Sequence, residues 1–537
     1  MHQAIIQYAT LLGIILLVVM FAQKIKIAYP ILLVITGLLL GFIPFLHGIE
    51  IEPEIIFLIF LPPLLYEAAW NTSWKDFWKW RRIILSFAFL IVILTSGVIA
   101  FVSAALIPGF TLATGFLLGG IISPPDALSA TTVLKSIKVP KRLTAILEGE
   151  SLMNDASSLV IYRFALAAVT TGSFVLQDAA ISFALVIVMG IACGIAVALI
   201  FYAVHLWLPT TTNIDVILTL LTPYAMYIVA ESFEFSGVLA VVSGGLFLST
   251  RRTTFLTHSS RLQGVNVWEA VAFMLNGLIF LLIGLEFPTI IKDLGPQGIG
   301  PAIKYGLIVT GILIVTRLAS TYGATAFTVL VSKYIKTADS NPGWKAPLLL
   351  GWAGMRGVVS LAAALSIPVT LHAGTAFPHR PLILFITFMV ILITLVLQGL
   401  TLPALIKWVD IEDLDYTISF EQQRQMVRKQ LARLSLDILD KKHAREVKEN
   451  AMVRLIKNQI VADMELLKDW REEDAAEREE QFYHEYRSIR TELIAEQRKY
   501  LSDLNKQKEI NDDIIRQQLD LLDLEEERIK RHAERSE

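Results

Sequence analysis

The chain has 537 residues, 54% of them hydrophobic, with a mean hydropathy of +0.58. Runs of about 20 apolar residues recur, the length at which a helix crosses a bilayer, which excludes a soluble globular domain as the main body. The formal net charge of −2 says nothing about partners, because most of the charge falls after Trp408; no nucleic-acid partner is expected, and the single cysteine, Cys193, rules out an internal disulfide and reads as a small packing residue.

In chain order, about thirteen spans are expected, over 4–22, 28–46, 54–70, 82–106, 111–136, 143–171, 178–206, 214–233, 236–250, 267–290, 300–332, 346–371 and 381–407. Met1–Met20 lacks a basic leading segment and a small-residue cleavage site, so it reads as a retained first span. The polar Glu231-Ser232-Phe233-Glu234 turn divides the eighth span from the ninth. Connections after odd-numbered spans carry Lys24 and Lys26; Lys75, Lys79, Arg81 and Arg82; Lys135, Lys138, Lys141 and Arg142; Arg251, Arg252 and Arg261; and Lys333, Lys336 and Lys345. Those after even-numbered spans carry Lys292, Lys304 and Arg380. The positive-inside rule therefore puts the amino terminus outside and the tail in the cytoplasm.

Two spans are interrupted. The fifth holds Ser123-Pro124-Pro125-Asp126, where the prolines remove helical donors. The twelfth holds Gly351-Trp352-Ala353-Gly354-Met355-Arg356-Gly357. Interrupted segments at corresponding places in two halves point to a transporter site, and an offset of seven spans makes the repeat inverted. The fold class expected is an all-α polytopic membrane protein with an inverted repeat, two broken helices and a helical cytoplasmic tail.

The sixth span carries Glu150-Ser151-Leu152-Met153-Asn154-Asp155. On a helix Ser151 and Asp155 share one face, and Glu150 and Asn154 another. Entering near Leu143, the span places Asp155 about 18 Å in, near the bilayer centre. An acid there is expensive and marks an ion or proton pathway. A hard cation takes oxygen ligands, which Asp155, Ser151, Glu67 and the freed carbonyls around Ser123–Asp126 supply. Asp126 reads either as an ion ligand or as a cap on half-helix ends. Arg356 is expected to pair with Glu150, bridged by Asn154, leaving Asp155 free to exchange ligands. Arg163, Glu286 and Arg317 read as structural partners, and the histidines show no metal-ligand spacing.

These residues resemble a known family. Phe60-Leu61-Pro62-Pro63-Leu64-Leu65-Tyr66-Glu67, Ser123-Pro124-Pro125-Asp126-Ala127, Glu148-Gly149-Glu150-Ser151-Leu152-Met153-Asn154-Asp155-Ala156-Ser157, Phe280-Leu281-Leu282-Ile283-Gly284-Leu285-Glu286 and Gly354-Met355-Arg356-Gly357 together resemble the bacterial branch of the first monovalent cation–proton antiporter family. The resemblance spans about 1–408. It implies that Asp155 binds cation and proton, with Ser151 and Glu67 as Na+ co-ligands and Asn154, Glu150 and Arg356 as the supporting cluster. It also implies a homodimer with one mobile core domain per protomer. Members of that family usually carry Thr before the broken-span acid and many carry Pro after it; here these are Pro125 and Ala127. The backbone carbonyl ligand survives in Pro125, but the side-chain hydroxyl does not.

The function expected is Na+/H+ antiport in the cell membrane, with no cofactor and with Li+ or K+ as further or alternative cations. One carboxylate holds a proton or a monovalent cation in turn. Asn154 stands where a second acid would add a second proton, so exchange is expected to be one for one and electroneutral. An intramembrane aspartyl protease would use Asp126 and Asp155, but neither has a Gly-x-Gly-Asp pattern. A channel fits broken helices and a buried charge cluster less well than alternating access. Two domains are expected: 1–408 as the exchanger and 409–537 as a helical tail that dimerises or regulates. After Pro403 there is no Gly or Pro, and apolar residues recur at helical spacing in Met426–Ile438, Met452–Leu467 and Ile514–Leu524.

Overall fold

The structure, a computed structural model, describes residues 2–25, 27–43, 56–126, 134, 139–172, 176–331, 343–354, 356–371, 375–411, 420–466, 473–504 and 512–534. They fall into two compact units, Met1–Asp413 and Leu414–Glu537. Among the described residues both units are helical.

The first unit opens with α1, His2–Ile25, α2, Tyr29–Leu40, and α3, Leu61–Asn71. Next come α4, Trp74–Leu106, α5, Leu112–Ile122, and α6, Lys141–Thr171. Then follow α7, Leu176–Trp207, α8, Thr212–Ser232, α9, Gly237–Phe255, α10, His258–Leu294, and α11, Pro296–Val331. The half-helices α12, Lys345–Trp352, and α13, Val358–Leu365, precede α14, Arg380–Val409. These helices occupy the expected apolar stretches in order, with α12 and α13 sharing one. Seven of them (α4, α6, α7, α8, α10, α11 and α14) contain apolar runs long enough to cross a membrane.

Hydroxyl side chains start the helices that follow tight connections. Ser73, Thr111, Thr211, Ser236 and Thr257 each accept a hydrogen bond from the backbone N–H three residues on, at 3.2–3.4 Å. Each bond satisfies a donor that a helix start leaves open. The polar turn at Glu231–Phe235 does divide α8 from α9, with Glu234 in the left-handed region at φ 60°.

Close packing relies on missing side chains. A Cβ on Gly37 of α2 would lie 2.1 Å from the Leu281 carbonyl oxygen of α10, and one on Gly284 would lie 2.2 Å from that of Val34. Where lipid removes the hydrophobic drive between helices, such contact supplies the attraction.

α5 stops at Ile122 because Pro124 and Pro125 offer no N–H to continue it. Ala127 lies outside the described residues. The second break falls at 353–357, between α12 and α13, with Met355 outside the described residues. Three further irregularities lie in neighbouring segments among the described residues: π-helical turns at Ile56–Phe60 leading into α3, at Ser86–Ile91 in α4 and at Thr394–Gln398 in α14. Such turns displace the backbone ladder and concentrate at functional sites.

The second unit comprises α15, Phe420–Lys442, α16, Ala444–Glu449, α17, Ala451–Leu466, α18, Glu473–Leu504, and α19, Asp512–Glu534. Leu467, the end of one expected apolar run, lies outside the described residues. α18 and α19 are tied by Arg490–Glu525, Arg498–Glu526 and Arg498–Asp523 pairs. The hydrogen bonds that Arg498 donates to Asp523 and Glu526 push it above the usual arginine value.

Candidate cation site

α6 carries its acids into the interior of the first unit. Glu150, Asn154 and Asp155 are buried, and Ser151, one turn before Asp155, is half-buried. The Asn154 Nδ2 donates to the Pro125 carbonyl oxygen at 2.7 Å, fastening α6 to the break after α5. That bond fixes the amide's orientation. Its Oδ1 is left buried without a partner, beside the acid of the next residue. Ser157 Oγ, one turn along, donates to the Ala88 carbonyl at 2.5 Å inside the π-helical turn of α4, and to that of Asn154 at 2.8 Å. α6 is thus clamped on both sides of Asp155.

The two breaks meet. Arg356, almost fully buried, donates through Nε to the Ile122 carbonyl at 2.6 Å and through Nη1 to the Gly354 carbonyl at 2.6 Å. These carbonyls lie at the carboxyl ends of α5 and α12. Helix carboxyl ends carry partial negative charge and unpaired acceptors, so one guanidinium compensates two half-helices pointing at a common centre. The Arg356 backbone N–H donates to Thr394 Oγ1 (3.2 Å), in the π-helical turn of α14, which in turn donates to the Val390 carbonyl at 2.8 Å.

Asp126 makes the reciprocal contact. A Cβ on Gly357 would lie 2.1 Å from Asp126 Oδ2, so the carboxylate presses on the backbone that begins α13. An acid at a helix amino terminus is stabilised by the positive dipole end. That position against the amino end of α13 is the geometry of the capping role, one of the two expected of Asp126. Only glycine at 357 admits that approach.

The expected Glu150–Arg356 pair is corrected. Glu150 is held by Arg317 of α11, whose Nη1 bonds Oε1 and whose Nη2 bonds Oε2 at 2.7 Å. The planar guanidinium fork matches a carboxylate in two-point contact, whereas Arg356 is already committed to carbonyls. Gly354 lies between the two guanidinium groups, 3.2 Å from Arg317 Nε and 3.3 Å from Arg356 Nη1 as measured from its ideal Cβ. Asn154 bridges α6 to Pro125, not Glu150 to Arg356. Arg317 was legible as a buried charge needing an acid, but its spacing from Glu150 gave no sign of which one. Thr394 carried no sequence signal at all.

Glu67 stands half-buried on α3, which packs on α6, and accepts a hydrogen bond from Asn71 Nδ2 at 2.6 Å. Ser123, two residues before Pro125, keeps a hydroxyl at the break; it donates to the Gly119 carbonyl (2.6 Å) and accepts from Ser96 Oγ (2.9 Å). Among the described residues, no group of three or more His, Cys, Asp or Glu side chains gathers as a transition-metal site would need. The chemistry collected here is a dehydrated carboxylate, an amide oxygen and backbone carbonyls, suited to a hard cation or a proton.

A family model described as "Sodium/hydrogen exchanger, transmembrane" matches residues 10–408. A Na(+)/H(+) exchanger of Mycobacterium tuberculosis is 31% identical over 522 residues, which cover 94% of this chain and 92% of the relative. The "Sodium, potassium, lithium and rubidium/H(+) antiporter" of Bacillus subtilis is 34% identical over 392 residues, covering 71% of this chain and 58% of the relative. Among solved structures, the sodium proton antiporter MjNhaP1 from Methanocaldococcus jannaschii matches in fold with a TM-score of 0.61 at 19% identity, covering 76% of this chain and 100% of that one.

Proposed function

The chain belongs to the transmembrane sodium/hydrogen exchanger family, and from that premise we propose that it exchanges Na+ for H+ across the cell membrane, with Asp155 holding each in turn. The family is one of transporters, so the chain is an integral membrane protein and not an enzyme, and the protease reading falls away. The observation carrying the proposal is Asp155: buried in α6, beside the unpartnered Asn154 Oδ1, at the meeting point of two broken helices.

The physics of exchange follows from that setting. An ionised carboxylate in a low-dielectric interior is costly, so the site moves between faces only when a proton or a cation neutralises it. Na+ is held by Asp155, Ser151 and Glu67, with Asp126 and the Pro125 carbonyl completing an oxygen-only surround. Asn154, Glu150 and Arg356 keep the frame rigid. Because α6 offers one exchangeable acid, one H+ moves per Na+ and no net charge crosses. The initial rate should then be independent of membrane potential in proteoliposomes; a potential-dependent rate overturns the stoichiometry.

The remaining assignments rest on charge distribution. Thirteen crossings put the amino terminus outside and residues 409–537 in the cytoplasm as a helical domain that dimerises or regulates, within a homodimer. K+ or Li+ exchange is a second reading, favoured by the cations in the name of the Bacillus subtilis relative. Ligand types do not separate alkali cations; cavity size does. Proton flux in vesicles, with Na+, Li+ and K+ added in turn, tests both readings. Flux with Na+ supports the proposal, flux with K+ alone replaces it by the second, and no proton flux with any of the three overturns it.

A further inference from the structure

A buried His–Asp pair lies away from the Asp155 cluster, where α7 ends and α8 and α10 begin. His205 and Asp215 are both buried, with side chains only 2% exposed. Asp215 stands in the first turn of α8 and accepts a hydrogen bond from Ser260 Oγ of α10 at 2.7 Å through Oδ2. Its other oxygen, Oδ1, is buried and has no hydrogen-bond partner. His205 Nε2 is likewise buried and without a hydrogen bond, and the two atoms face each other at 4.0 Å.

The tautomer is fixed by the other ring nitrogen. Nδ1 lies 2.7 Å from the Phe201 carbonyl oxygen, and a carbonyl only accepts, so Nδ1 carries the hydrogen. In the neutral ring Nε2 then presents a lone pair to a carboxylate oxygen, and neither atom is satisfied. A proton on Nε2 turns that confrontation into a donor facing an acceptor. The 4.0 Å gap exceeds a hydrogen bond, so the two side chains, or the helix ends that carry them, must approach for one to form.

The other charged groups of this corner are turned elsewhere. Arg251 of α9 stacks over Phe247 at 4.2 Å, and Arg261 of α10 donates to the Leu256 carbonyl at 2.7 Å. Arg252 and His258 are exposed. Phe255 of α9 packs edge-on to the His205 ring at 5.0 Å and seals it. The pair also connects to the transport unit. Thr219, one turn after Asp215, accepts from Trp268 Nε1 at 3.1 Å, and the Trp268 ring packs on Tyr66, the neighbour of Glu67, at 5.3 Å.

We propose that His205 Nε2 is a second proton-binding site, distinct from Asp155, whose occupancy draws the ends of α7 and α8 together and adjusts exchange through α8, α10 and α3. By the topology proposed above it senses cytoplasmic pH, and its effect on rate rests on the exchange reading.

The test uses the full-length protein in proteoliposomes at saturating Na+, which suppresses competition at Asp155, so that the remaining pH dependence reports other groups. His205→Asn keeps a donor at the Nδ1 position and removes Nε2; His205→Gln places a permanent donor at the Nε2 position. The two variants should lose the pH step and lie on opposite limbs of the wild-type profile, separated by a factor on the order of threefold to tenfold, the scale of one hydrogen bond's net contribution. Asp215→Asn should flatten the same step. A readout independent of transport is the ¹⁵N spectrum of the nine histidine rings. The resonance missing in His205→Asn should be protonated at Nδ1 alone at alkaline pH and at both nitrogens at acid pH. If wild type exchanges but all three variants keep its pH profile, or if that resonance does not titrate, the site is refuted. Absence of exchange in wild type would instead defeat the antiport reading, leaving the ring titration to decide the site.

Discussion

Two acids five residues apart on α6 have opposite surroundings. Glu150 meets the Arg317 guanidinium in two-point contact and is fully compensated. Among the described residues Asp155 has no such cation paired with it; the adjacent Asn154 amide is tied to Pro125 at one helix break, and Arg356 ties that break to the other. Both are removed from water, so the difference lies in what replaces it. A buried acid with a fixed countercharge is architecture; one without needs a mobile positive guest. The ends of the broken helices are compensated in the same fixed way, by Arg356 at carboxyl ends and Asp126 at an amino end.

The sharpest test is Asp155→Asn. It should abolish exchange while the protein still assembles, measured as proton flux alongside size-exclusion chromatography; retained exchange would show that the wrong acid has been chosen. Glu150 should behave in reverse. Glu150→Gln or Arg317→Met leaves one buried charge without its partner and should cost about 3–5 kcal/mol, visible as loss of folded protein. Combining the two removes both charges and should be milder than either alone; an additive loss would mean that the pair is not the stabilising unit.

Arg356→Ala strips two carbonyl ends of their cation and should cost about 3 kcal/mol, lowering Tm, with Na+ affinity changed less than stability. A well-folded variant with weakened Na+ binding would move Arg356 from the frame into the site. The smallest effect is expected at Arg163 and Glu231, which pair at 2.6 Å with side chains 46% and 29% exposed. Arg163→Gln should cost less than about 1 kcal/mol in thermal unfolding and leave exchange unchanged.

Much of this contrast was legible along the chain. Asp155 stands out because it falls near the middle of a span expected to cross the bilayer, and the cost of burying an acid depends on that setting. Pro124 and Pro125 announce a break because a missing N–H is a property of the residue. The Glu231–Phe235 turn separates α8 from α9 for the same local reason. The pairing of cations was not legible. Arg317 is 167 positions from Glu150 and Arg356 is 234 from Ile122, and no local rule chooses between two arginines competing for one acid. The π-helical turn that brings Thr394 to Arg356 is likewise invisible in an unbroken apolar run.

Sequence alone determined which groups had to be taken out of water, because hydropathy and proline chemistry act over a few neighbouring residues. Tertiary structure decided which charge answers which. Compensation in a dry interior depends on contacts of about 3 Å, and only the packing of distant helices sets those distances.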